Sequence, residues 1–198
     1  MGSFLLRLFS CAGIFWLAAG SALAQAIIEP PFGFHWGDSP EKLIAWASRH
    51  SLNVTVSLPG DQPALRIVKI APNKGFLPET QAGAVEGRFL GGKLYELAVH
   101  YTDADASADL METRFEALRK QIVLEHGALL PNQQRRSVED QFVTRTQSFH
   151  REPVKGLFLL LAFTEVEDLL RKSKVAKYSL IYRNENFRDE LQKALKGS

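Results

Sequence analysis

Cysteine is nearly absent: Cys11 is the single one in 198 residues, and it lies inside an N-terminal stretch with the features of a leader. A chain that has lost that stretch has no disulfide, no thiolate metal ligand and no cysteine nucleophile, so its stability rests on an apolar core. A large charge of one sign is also missing. Lys and Arg number 24 against 22 Asp and Glu, and this balance excludes the strong basic clustering that nucleic-acid binding needs. The histidines are equally dispersed: His35, His50, His100, His126 and His150 form no H-x-H or H-x-x-x-H pair, so no local zinc set exists and no metal is expected. No motif implies a cofactor. Beyond Leu8–Ala24 there is no apolar run long enough to cross a bilayer, so no transmembrane segment is expected once the leader is removed.

What is there begins with MGSFLLRLFSCAGIFWLAAGSALAQA, where Arg7 precedes an apolar run and Ala22-Leu23-Ala24 supplies small residues on either side of a leucine. This is the pattern of a secretory signal cut after Ala24. The reading is a cleaved segment 1–24 followed by a single domain over 25–198, exported to the periplasm. Cys11 sits too close to Arg7 to follow a lipoprotein-type apolar region.

Periodicity then orders the mature chain. Asp38 or Ser39, Pro40 and Glu41 mark a helix start, with Leu43, Ile44 and Ala47 as its apolar stripe. Leu52, Val54, Val56 and Leu58 alternate with polar residues as a strand, Pro59-Gly60-Asp61 turns the chain, and 64–71 forms a second strand. Runs at 84–90 and 93–102 flank Gly91-Gly92, the signature of a tight hairpin. Met111, Phe115, Leu118 and Ile122 share one helical face, closed by Gly127. The polar PNQQRRS reads as a connection, followed by strands at 139–149, at LFLLLAF and at VAKYSLIY, with EVEDLLRKSK as a short helix or wide turn. A last helix is capped by Asn184. The class is α+β, a mainly antiparallel sheet with helices on one face, in the order α-β-β-β-β-α-β-β-β-α. Two successive units of a helix followed by strands hint at duplication, without a residue-level repeat.

Several motifs fail on their own residues. Gly37-Asp38-Ser39 resembles the first block of the GDSL esterases, but the late Asp-x-x-His of that family is missing: Gln147 stands three residues before His150, the last histidine. Gly87 to Lys93 approaches a phosphate-binding loop, yet Leu94 lacks the hydroxyl that would hold Mg²⁺. Asp103, Asp105, Ser107 and Asp109 have the spacing of calcium-loop ligands, while Ala108 and Arg114 occupy the positions that need Gly and Glu.

The remaining candidates are Trp36, Glu96, His100, Arg145, Tyr182 and Arg183. Glu96 and His100 share one face of a strand, opposite Tyr95, Leu97, Val99 and Tyr101. Arg145, Tyr182 and Arg183 suggest a groove for an anionic small molecule or a protein partner in the cell envelope. The favoured expectation is an exported, non-enzymatic protein that binds a partner or small ligand through a polar sheet face. The alternatives are a periplasmic hydrolase with a dispersed site, in which Glu96 tunes His100 as a base, and a structural part of an envelope assembly.

Overall fold

A computed structural model describes residues 28–60 and 62–196. The leader with Cys11, the junction after Ala24, and Asp61 lie outside the described residues.

Helix α1 (Pro40–Arg49) begins where the sequence places it, with Pro40 in the first turn. Its cap differs from expectation. Ser39 is the N-cap but makes no side-chain cap bond, and Asp38 instead accepts from the His35 amide at 2.8 Å and pairs with Lys42. Strands β1 (Asn53–Ser57), β2 (Leu65–Ala71), β3 (Ala84–Leu90) and β4 (Lys93–Tyr101) then form an antiparallel meander. Gly91 and Gly92, at φ 57° and 76°, make the β3–β4 turn, which removes the phosphate-loop reading. Helix α2 (Ala108–His126) starts at Ser107, whose hydroxyl accepts from the Leu110 amide, and ends at Gly127.

After α2 the chain carries four strands, one more than expected: β5 (Leu130–Glu139), β6 (Phe142–Val154), β7 (Leu157–Asp168) and β8 (Ser173–Asn184). β5 occupies the stretch read as a polar connection. It lies at the sheet edge and is exposed on both faces, so it lacks the apolar alternation that marks a half-buried strand. β6 starts later and runs further than 139–149. The segment EVEDLLRKSK is neither a helix nor a wide turn: β7 continues to Asp168, and Asp168 Oδ1 accepts from the amides of Leu170 and Arg171 to fix the turn into β8. Helix α3 (Glu185–Lys196) follows, with Asn184 capping it through the Phe187 amide.

All eight strands join in one antiparallel sheet in the order β1-β2-β3-β4-β8-β7-β6-β5. The order is a palindrome: two units of one helix and a four-stranded meander meet through their last strands, β4 and β8. Both units put their helix on the same face. Leu43, Trp46 and Ala47 of α1 cluster with Val68, Ile70, Val85, Phe89, Leu97 and Val99, while Met111, Phe115 and Ile122 of α2 cluster with Leu159, Leu161, Phe163, Tyr178 and Leu180. Tyr101 and Tyr182 touch both clusters. α3 meets β3, β4 and β7 at the hairpin end of the sheet, with Phe187 against Gly37 and Leu195 near Gly91.

Candidate functional site

Cross-strand register decides which face each side chain takes. Leu97 pairs with Tyr182 and Val99 with Leu180 on the helix face, so the alternate pairs Glu96–Arg183, Ala98–Ile181 and His100–Ser179 lie on the opposite, open face. Along β7, β6 and β5 the open face continues through Phe158, Leu160, Ala162 and Thr164, through His150, Ser148, Thr146 and Thr144, and through Arg135 and Ser137.

The sequence candidates are therefore divided. Glu96, His100 and Arg183 share the open face, whereas Arg145 and Tyr182 belong to the helix face. One anionic group cannot bridge Arg145 and Arg183 through the sheet. Each arginine already meets two carboxylates: Arg145 faces Glu112 at 2.9 Å and Glu165 at 3.6 Å, and Arg183 binds Glu96 and Glu185. Trp36 lies in the lead-in segment, where its indole N–H donates to the Ile28 carbonyl at 2.8 Å.

Glu96 is only 3% exposed. Arg183 Nε donates to it from β8, and Arg88 Nε lies 3.3 Å from its other oxygen. A carboxylate held between two guanidinium groups has its charge balanced and its lone pairs occupied, which suits a clamp across the β4–β8 seam. His100 is set apart. Four residues along a strand is about 13 Å, and its Nδ1 meets Ser179 Oγ at 2.9 Å. Burial lowers its pKa below the usual histidine range, the Glu86 carboxylate being the main opposing influence. Glu96 and His100 thus do not form an acid–base pair. Asp103, the first residue of the calcium-like spacing, is engaged by Arg114 at 2.8 Å, and no group of three or more metal-ligating side chains occurs among the described residues.

Two adjoining depressions, about 260 Å³ and 450 Å³, mark the open face over β5–β8. Asn132 and Leu160 line both. A register shift between Pro131 and Gln133 presents Asn132 to the site, where its Nδ2 donates to Ser148 Oγ at 3.0 Å. The smaller depression has an apolar floor of Phe158, Leu160 and Ile181 and a polar rim of His150, Arg183 and Glu185. His150 Nδ1 is buried without a partner, so the rim holds one unused hydrogen-bonding nitrogen. The larger is lined by hydroxyls and amides, among them Ser137, Thr144, Thr146, Gln147 and Thr164. Arg183 is paired with Glu96 and Glu185, so the smaller depression sets hydrogen-bonding groups around an apolar floor, while Arg135 and Glu139 bring one charge of each sign to the larger. Period-two alternation along 139–149 and into His150 puts Thr144, Thr146, Ser148 and His150 on one face, whereas Asn132 carries no such signal, because neither β5 nor its bulge has a period to read.

No protein family matches the chain, no curated protein matches it in sequence, and no solved structure matches it in fold. Among the described residues no helix is long and apolar enough to cross a membrane.

Proposed function

We propose that this chain is exported to the periplasm by its N-terminal signal, loses residues 1–24, and acts there as a non-enzymatic binding protein through the open sheet face. The observation that carries the reading is the pair of depressions across β5–β8, where Asn132, His150 and a row of threonines surround Phe158, Leu160 and Ile181. A floor of partly exposed apolar side chains inside a polar rim is the composition of a recognition surface. With one charge of each sign in the larger depression and Arg183 already paired in the smaller, the face favours a segment of another protein over a simple anion. The hydrolase alternative draws no support from Glu96 and His100, each of which is engaged by other partners.

The test uses a photo-reactive residue at Thr164, on the open face, and another at Lys120, exposed on α2. Cross-linking in the periplasm should yield one discrete adduct from position 164 and none from 120, and Thr164→Lys should weaken capture of that partner. Equal adducts at both positions, or none at 164, would overturn the reading. The mass of the recovered chain tests export separately: it should begin at Gln25.

A further inference from the structure

A second concavity lies on the helix face, where α2, the segment 72–83 and strands β4 and β8 leave a groove of about 490 Å³. Its location follows from the topology. α1 packs on β1–β3 and α2 on β7 and β8, so between the two helices the seam is bordered by the loop carrying Glu79, Thr80 and Gln81. That loop is held in place: Leu77 is buried, its amide donates to the Ala82 carbonyl at 2.8 Å, and Thr80 Oγ1 accepts from the Ala82 amide. Glu79 sits at the groove lip with φ 59°, a conformation unfavourable for a side-chain-bearing residue and maintained by its anchored flanks.

Tyr101, Tyr178 and Tyr182 line the groove. Tyr101 and Tyr178 are register partners across the seam and stack at 4.5 Å with their planes 13° apart. None of the three hydroxyls has a protein hydrogen-bond partner among the described residues, and none is sealed from solvent. Burial raises all three phenol pKa values, Tyr178 to about 12, so they are neutral donors and acceptors at physiological pH. Buried tyrosines ordinarily satisfy their hydroxyls, and three free ones around a concavity leave polar capacity for an occupant.

The charges give that occupant its sign. Glu79 and Glu125 line the groove, and Glu125 lies near enough to Tyr182 to oppose its ionisation. Gln121 donates to Glu125 at 2.9 Å without neutralising it, and His126 approaches the same carboxylate at 3.8 Å. Arg114, the one arginine in the wall, is paired with Asp103 at 2.8 Å. Leu118 and Ile122 supply apolar wall. The geometry points to a binding groove for a small organic cation with an apolar or aromatic body, its ammonium group held by Glu125 and the tyrosine hydroxyls. Phenol oxygens and a carboxylate both accept from an ammonium, and an anion would meet two carboxylates with no free cation.

The site is separate from the open face and is tested with probes of one shape and three charges. Titration of the purified protein with phenethylamine, followed by amide NMR shifts, should saturate, with changes confined to 79–81, 117–126 and 178–182. The uncharged 2-phenylethanol should bind about tenfold more weakly, and 3-phenylpropionate more weakly still. Glu125→Gln should abolish that tenfold gap while leaving 2-phenylethanol binding unchanged, and Tyr182→Phe should weaken both probes. Thr164→Lys should change none of this, so failure of the open-face reading would leave the groove standing. Equal or preferred binding of 3-phenylpropionate would overturn the inference. So would absence of shifts at these positions with millimolar phenethylamine, spermidine and choline alike.

Discussion

In the first unit the strands grow from 5 residues in β1 to 9 in β4, and the inward side chains of β2, β3 and β4 finish beneath α1, leaving only Val56 of the edge strand 49% exposed. In the second they run from 10 to 13 residues and outreach α2, although α2 is the longer helix at 19 residues. Beyond that reach the apolar side chains stand in solvent: Val138 is 57% exposed and Val175 66%. Charge follows the same division, with 7 basic and 10 acidic residues over 25–111 against 16 and 12 over 112–198. The overhanging strands persist without a helix because each pairs laterally along nearly its whole length, with contacts such as Thr146 opposite Thr164 and Arg145 beside Glu165. One topology thus yields a unit organised around its core and a unit that offers both faces of its sheet.

The hardest test of that contrast removes the core of the second unit. Phe115 is fully buried against Phe149, Phe163 and Tyr178, and Phe115→Ala should cost about 3–5 kcal/mol in urea unfolding. Trp36 and Trp46, the only tryptophans outside the leader, both lie in the first unit. If the seam couples the units, their fluorescence must report the full loss; a tryptophan transition left unmoved would show that the units unfold independently. A smaller effect belongs to the seam itself. Glu96→Gln leaves Arg88 and Arg183 without their shared carboxylate and should lower stability by about 1–3 kcal/mol, with the urea midpoint as readout.

Smaller again is the contribution of His100. Its folded pKa lies below the ordinary 6.5, so the unfolded chain takes up a proton first as pH falls. Stability should therefore decline from pH 6.5 down to the folded pKa and level off below it, and His100→Gln should remove that part of the slope in thermal melts. The smallest effect is expected at the overhang: Val138→Thr on β5 should change stability by no more than about 0.5 kcal/mol, whereas a larger loss would mean that the exposed strand is packed.

The first unit and α2 were legible because burial imposes a period. Val68 and Ile70 are buried on either side of the exposed Lys69, and Met111, Phe115 and Ile122 fall on one helical face. β5 and the far ends of β7 and β8 were not, since residues wet on both faces answer to no such pressure; Pro131, two glutamines and two arginines read equally well as a connection. The site was half legible for a related reason. Alternation set Glu96 and His100 against Leu97, Val99 and Tyr101 correctly but not against Tyr95, which falls at the register shift opposite Arg88 and Phe89, and the face of Arg145 depends on which strands neighbour each other. Only the β6–β7 and β7–β8 registers separate it from Arg183.

The palindromic strand order has a consequence for how the chain is held together. β4 and β8 are each the last strand of their own unit, and they join by backbone pairing, the Glu96–Arg183 ion pair, the His100–Ser179 contact and the Tyr101–Tyr178 stack. These are the contacts with which two separate molecules would associate edge to edge. Residues 102–107, the covalent link between β4 and α2, act as a tether: they set the stoichiometry at one to one and raise the local concentration of one edge at the other. A chain nicked within that tether should stay assembled as two fragments, and the fragments, once parted, should find each other again.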